Sequence, residues 1–113
     1  MPLILPTTRK RRVLIESPFA GDRARNKVYL LEALADSLSR GEAPFASHLF
    51  YTLFLDDDVP EERDLGIECG LVWGAAADLT AVYVDLGISR GMQLGIERAK
   101  AEGRPVEERG IRL

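Results

Sequence analysis

Several things are scarce in this chain of 113 residues, and each scarcity removes a class of function. There is one cysteine, Cys69, so an internal disulfide and any multi-cysteine metal site are excluded. Cys69 falls in a helical pattern and reads as a small core residue. There is one histidine, His48, so a histidine metal cluster is excluded as well, and no metal or cofactor is expected. Neither charge sign dominates: the net charge of −3 gives no pull toward a nucleic-acid polymer. The one basic run, Arg9 to Arg12, reads as a solvated lead-in or, less economically, as a nucleic-acid arm. Met1 to Pro6 is apolar but too short for a signal peptide or a membrane span, which points to a cytoplasmic protein. No repeat, linker or low-complexity segment interrupts the chain.

What is present is a 46% hydrophobic, 29% charged composition, that of one globular domain with one core. The organising stretch is Val13-Leu-Ile-Glu-Ser-Pro-Phe-Ala-Gly-Asp22. A short buried strand, Arg12 to Glu16, breaks at Ser17-Pro18 and passes through Gly21-Asp22 into a helix. Strand, polar turn and helix start form the local plan of a nucleotide-binding crossover, although many such turns bind nothing. Backbone N–H groups at the helix start can hold an anion.

Helix periodicity runs from Asn26 to Ser39, with Leu30, Leu31, Leu34 and Leu38 as the apolar stripe and Gly41 as its stop. A short strand at Ala43 to Ala46 leads into the aromatic-rich Ser47 to Tyr51. Asp56-Asp57-Asp58 with Pro60 reads as a helix start with an Asp N-cap, the alternative being a cation site. That helix should reach about Ala77 and bury Leu65, Cys69, Val72 and Ala76, with Ile67, Leu71 and Trp73 widening the stripe. Leu79 to Val84 is a buried strand, Gly91 to Glu102 the last helix, ended by Gly103, and Arg104 to Glu107 the last strand. Strand and helix alternate throughout. The expectation is a single-domain α/β three-layer sandwich, flavodoxin/Rossmann-like, with a four- to five-stranded parallel sheet over residues 12–107. Residues 1–11 and 108–113 are read as tails.

The unit Asp78-Leu-Thr-Ala-Val-Tyr-Val-Asp-Leu-Gly-Ile-Ser-Arg-Gly-Met-Gln-Leu-Gly-Ile-Glu and its continuation to Gly103-Arg-Pro-Val106 resembles the nucleoside 2-deoxyribosyltransferase-like superfamily. Glu16-Ser-Pro-Phe-Ala-Gly-Asp22 with Asn26 is similar to that superfamily's first loop. The stretch from Pro44 to Arg63 is similar to small members from bacteria and phages. The resemblance implies a pocket at the carboxyl edge of the sheet for a nucleotide or nucleoside-like ligand. Ser89 would bind phosphate with the helix start at Gly91 and Met92, or merely cap that helix. Ser17, Gly21, Asp22 and Asn26 would form the opposite wall.

The position that matches the superfamily's catalytic Glu is Gly95, which supplies no carboxylate. Glu97 lies about 200° further round the helix and points away, unless the register is displaced by two residues. Gln93 is displaced too. His48 follows the second strand and is a general base, a ligand contact or a hydrogen-bonded loop histidine. Asp85 closes the third strand, as a ribose or catalytic carboxylate or as a turn residue. Asp78, at the amino end, reads as structural. The resulting expectations are ligand binding with N-glycosidic cleavage or transfer, or a non-catalytic sensor or interaction module that lacks the Glu. A homodimer or higher oligomer is also expected, with Phe50, Tyr51, Phe54 and Trp73 as interface aromatics.

Overall fold

The computed structural model describes residues 9–112. Residues 1–8 of the expected tail 1–11, and Leu113 of the expected tail 108–113, lie outside them. Four parallel strands form one sheet: β1 (Arg12–Glu16), β2 (Ala43–Phe45), β3 (Leu79–Tyr83) and β4 (Val106–Arg109), in the order β2-β1-β3-β4. This is the flavodoxin/Rossmann-like arrangement. The helices are α1 (Arg23–Ser39), α2 (Ser47–Tyr51), α3 (Pro60–Gly74) and α4 (Arg90–Ala101). None of them is long and apolar enough to cross a membrane. Pro44 is tolerated because β2 is an edge strand, where a missing N–H breaks no central ladder. Gly41 and Gly103 end α1 and α4 at φ +81° and +71°, a region that favours glycine.

Strand alternation divides the molecule in two. Val13 and Ile15 of β1 join Leu79, Ala81 and Tyr83 of β3 in a core with Tyr29, Leu30 and Ala33 of α1. Leu14 and Glu16 face the other way, toward α3 and α4, where Val82, Met92 and Ile96 form a smaller core.

Two helices bury faces other than the expected ones. On α1 the inward residues are Asn26, Tyr29, Leu30, Ala33 and Ser37, while Leu31 and Leu38 are exposed. The side chains of Tyr29 and Ser37 have polar partners inside, so the inner stripe is partly polar and the leucine count misleads. On α3 the buried residues are Gly70 and Gly74, and Leu65, Val72 and Trp73 face outward. The physical reason is close approach: a methyl at position 74 would come 3.1 Å from Leu14, and Ser47 fills the space beside Gly70. α3 also stops at Gly74, short of Ala77, and begins after Val59 with no side-chain cap. The Asp N-cap is therefore corrected. Asp56 accepts from the Asp58 N–H at 2.9 Å, and Arg23 reaches Asp58 at 2.7 Å. The last strand begins at Val106, two residues later than expected, and takes in Arg109 from the supposed tail.

Under α1 the sheet carries a buried ion pair. Arg109 donates twice to Glu42 at 2.8 Å, and Ser37 donates to the same carboxylate at 2.8 Å. Arg109 also donates to the Tyr83 hydroxyl, which donates to Asp36 at 2.7 Å. The hydrogen bonds from Arg109, with Ser37 and the charges of Arg109 and Arg11, hold Glu42 down at about 2. Its stabilisation is complete above its ordinary 4.5 and is lost as pH falls toward 2. Glu42→Ala leaves the buried Arg109 guanidinium without its bidentate partner, with only Glu107 and the Tyr83 hydroxyl beside it, and should cost about 3–5 kcal/mol in denaturant unfolding at pH 7. Replacing both Glu42 and Arg109 with apolar residues of similar volume should recover much of the loss. A single substitution that costs less than about 1 kcal/mol would contradict this account of the pair.

Candidate functional site

The chain leaves β1 for β2 on one side and later returns to β3 on the other. Open sheets of this kind bind ligands at the carboxyl ends of the strands flanking that switch. A cleft of about 300 Å³ opens there. The end of β1 and its loop supply Glu16, Ser17 and Phe19, α2 supplies His48 and Tyr51, and α3 supplies Arg63 and Ile67. The start of α4 completes the wall with Ser89, Arg90, Gly91, Met92 and, one turn on, Gly95.

Five of the anticipated residues thus meet in one place: Ser17, His48, Ser89, Gly91 and Met92. Ser17 Oγ and His48 Nε2 share a hydrogen bond of 3.0 Å, and Phe19 packs edge-on against the imidazole. Burial pushes His48 down to about 4, so the ring is neutral at pH 7. Ser89 Oγ caps α4 by accepting from the Met92 N–H at 3.3 Å, which leaves its own proton free to donate.

The other anticipated residues lie outside the cleft. Asp22 caps α1 by accepting from the Arg25 N–H at 3.1 Å. Asn26 is buried and donates to the carbonyls of Phe19 and Ala20 at 3.1 and 2.9 Å, so it shapes the first loop without facing a ligand. Gly21 supplies the φ of +95° that the turn needs. Asp85 points the other way: it accepts from the Tyr29 hydroxyl at 2.6 Å and from the N–H groups of Ile111 and Arg112. The bonds from Tyr29 and Ile111 hold it down at about 2. It ties β3 to α1 and to the segment after β4, outside the cleft. Glu97 is exposed on the outer side of α4 and accepts from Gln93 at 3.4 Å. Asp78 accepts from the Arg12 N–H at 2.7 Å and pairs with Arg9, while Arg11 pairs with Glu42, so acids of the same chain absorb much of the basic lead-in. No group of three or more candidate metal ligands occurs among the described residues.

In the sequence Glu16 stands only as the first residue of the loop motif, with no role of its own. The structure sets its side chain in the cleft against α4, where Gly95 has none. A Cβ at position 95 would overlap the Glu16 carboxylate. The signal was available in principle: an acidic residue ending an apolar strand, and a glycine on the buried face of an amphipathic helix. Burial pushes the Glu16 carboxyl up to about 8, against the partial opposition of Arg104. No described residue hydrogen-bonds it, and its oxygens are not sealed from the cleft.

These two groups set an unusual stability profile. Between about pH 4.5 and 6.5 the folded state holds a proton on Glu16 that the unfolded chain has lost. Over the same range it lacks the proton that unfolded His48 carries. The two effects cancel there. From about pH 6.5 to 8 only Glu16 differs, and stability should fall by about 1 kcal/mol per unit. Urea unfolding of Glu16→Gln should lack this alkaline fall; a fall of the same size in the variant would assign it elsewhere.

No curated protein matches the chain. Among solved structures, the chain is similar to a 2-deoxyribosyltransferase from the psychrotolerant bacterium Bacillus psychrosaccharolyticus. The TM-score is 0.70 and the identity 17%, over 88% of this chain and 72% of the other. At that identity the likeness is one of fold. A family model described as a domain of unknown function, DUF7768, matches residues 11–109. With almost the whole described chain inside that match, the protein belongs to the DUF7768 family.

Proposed function

We propose that this protein binds a nucleoside or nucleoside monophosphate in the cleft at the carboxyl edge of its sheet. The observation that carries the reading is the convergence of Glu16, Ser17, His48 and the Ser89–Gly91 helix start on one cleft. This occurs at the switch point of a fold shared with a nucleoside-processing enzyme. Phe19, Tyr51, Ile67 and Leu71 offer apolar and aromatic surface for a base. Ser17 and His48 offer polar atoms for sugar hydroxyls. A phosphate would meet Ser89, the free N–H groups of α4, and Arg63 of α3 and Arg90 of α4, which line the same cleft. A rival reading, a sensor without turnover, is favoured by one observation: Gly95 stands where the resemblance puts the catalytic Glu.

A thermal-shift series with nucleosides and their 5′-monophosphates tests the binding. At a hundredfold excess over Kd the folded state should gain about 2.7 kcal/mol. Ser89→Ala should weaken monophosphates more than nucleosides. No response to any of them at millimolar concentration would sink the reading.

The partner of the open sheet edge, on this reading, is a second copy of the chain. Phe45 on β2, Phe50 on α2 and Phe54 just beyond it form a continuous run, with ring centroids 6.0 and 5.5 Å apart. All three are exposed, Phe54 by 62%. Such a patch is costly to leave in water, and a twofold axis through it would bury it against its own copy. Of the anticipated interface aromatics, Tyr51 lines the cleft, and Trp73 is exposed on α3. Light scattering at tens of micromolar should give a dimer mass that Phe50→Ser with Phe54→Ser reduces to a monomer. A monomeric native protein would refute the assembly.

A further inference from the structure

The strongest unassigned feature is the pairing of Glu16 with Gly95. Gly95 is buried on the face of α4 that meets the sheet, and the carboxylate of Glu16 occupies the space a side chain there would need. Glycine is among the poorest helix-interior residues, so the position gives up helix stability where it admits that carboxyl. The group so housed faces the cleft and has no hydrogen bond from any described residue. Beside it, Ser17 and His48 hold each other at 3.0 Å.

We propose that Glu16 is the catalytic acid of an N-glycoside hydrolase, donating its carboxyl proton to the departing base while Ser17 and His48 take a proton from the attacking water. This rests on the cleft taking a nucleoside. The carbon–oxygen bond forms between water and the anomeric carbon. The bond from that carbon to the base nitrogen breaks, its electron pair going to the base. The Glu16 proton neutralises the base. The water proton passes to Ser17 Oγ as the Ser17 proton moves to His48 Nε2. The imidazolium then returns a proton through solvent to the Glu16 carboxylate, and the sum is nucleoside plus water giving free base plus sugar.

The protonation states suit these roles. Glu16 keeps its proton up to about pH 8, and His48 is unprotonated above about pH 4. The charged groups around them are few. Arg104, set against Thr80 of β3 and Gly74 of α3, lowers the Glu16 carboxyl without undoing the effect of burial. Asp57 lines the cleft from the loop before α3, Glu62 and Arg63 from the first turn of α3, and Arg90 from the start of α4. A protonated acid protonates a leaving group but cannot serve as a carboxylate nucleophile, so hydrolysis is favoured over transfer to a second base.

The test is release of free base from 2′-deoxynucleosides, ribonucleosides and their 5′-monophosphates, run beside thermal shifts on the same panel. Wild type should release base at a rate that is level from about pH 5 to 7 and falls above about pH 8. Glu16→Gln should lose about 10²–10⁴-fold in kcat while keeping its thermal shift. Gly95→Ala, which displaces the carboxyl but retains it, should also lose turnover, and Glu97→Ala should change nothing. Melting temperatures of all variants separate lost chemistry from lost folding. Ligand shifts without base release in wild type would overturn the acid and leave the binding reading standing. Neither shifts nor release would overturn both. Turnover that survives Glu16→Gln, or a rate that climbs through pH 8 with transfer to an added base, would likewise overturn it.

Discussion

The contact between Glu16 and the bare backbone of Gly95 is the constraint on which the cleft depends. Strand alternation fixes Leu14 and Glu16 on the same face of β1. Each meets a helix at a glycine, Leu14 at Gly74 of α3 and Glu16 at Gly95 of α4. Side chains at those two positions would push both helices off the sheet or drive the strand residues aside. Admitting the carboxyl also decides its chemistry. An ionised carboxylate in that space would go without hydrogen bonds from the protein, and the cost of stripping its water favours the neutral acid.

The opposite face of the sheet treats its polar groups differently. Beneath α1, Glu42 and Arg109 are fully paired, Tyr83 and Asp36 extend the network, and Asp85 is tied by Tyr29 and two backbone N–H groups. Groups so satisfied have little left to offer a ligand. On the α3/α4 side Arg104 is likewise paired, with Thr80 and Glu102, but Glu16 has no hydrogen-bond partner and Ser17 and His48 hold only each other. One face of the sheet anchors the fold, and the other keeps a neutral acid and a neutral base within one cleft.

The crossovers were legible in the sequence because their signals are local. β1 appears as an apolar run ended by Ser17-Pro18, and the alternation of elements gives the parallel sheet. His48 could be placed at the carboxyl edge for the same reason, and Ser17, Ser89, Gly91 and Met92 through the resemblance. The five-residue α2 was too short to show a period. The buried face of α3 was misread because glycine carries no hydropathy signal, and the exposed Val72 and Trp73 do. Asp85 looked like a site carboxylate because it ends a strand; its partners Tyr29, Ile111 and Arg112 come from distant parts of the chain. The Glu16–Gly95 approach is long-range in the same way. It follows only once β1 pairs with β3 and α4 is laid across them.

The central claim is that Glu16 is a neutral acid held in the cleft by the space at Gly95. Isotope-edited NMR of the Glu16 side-chain carboxyl across a pH titration reads this directly. The account predicts a midpoint near 8, moving toward the ordinary value in Gly95→Ala as the carboxyl is pushed from its place. A wild-type midpoint at the ordinary 4.5 would contradict it.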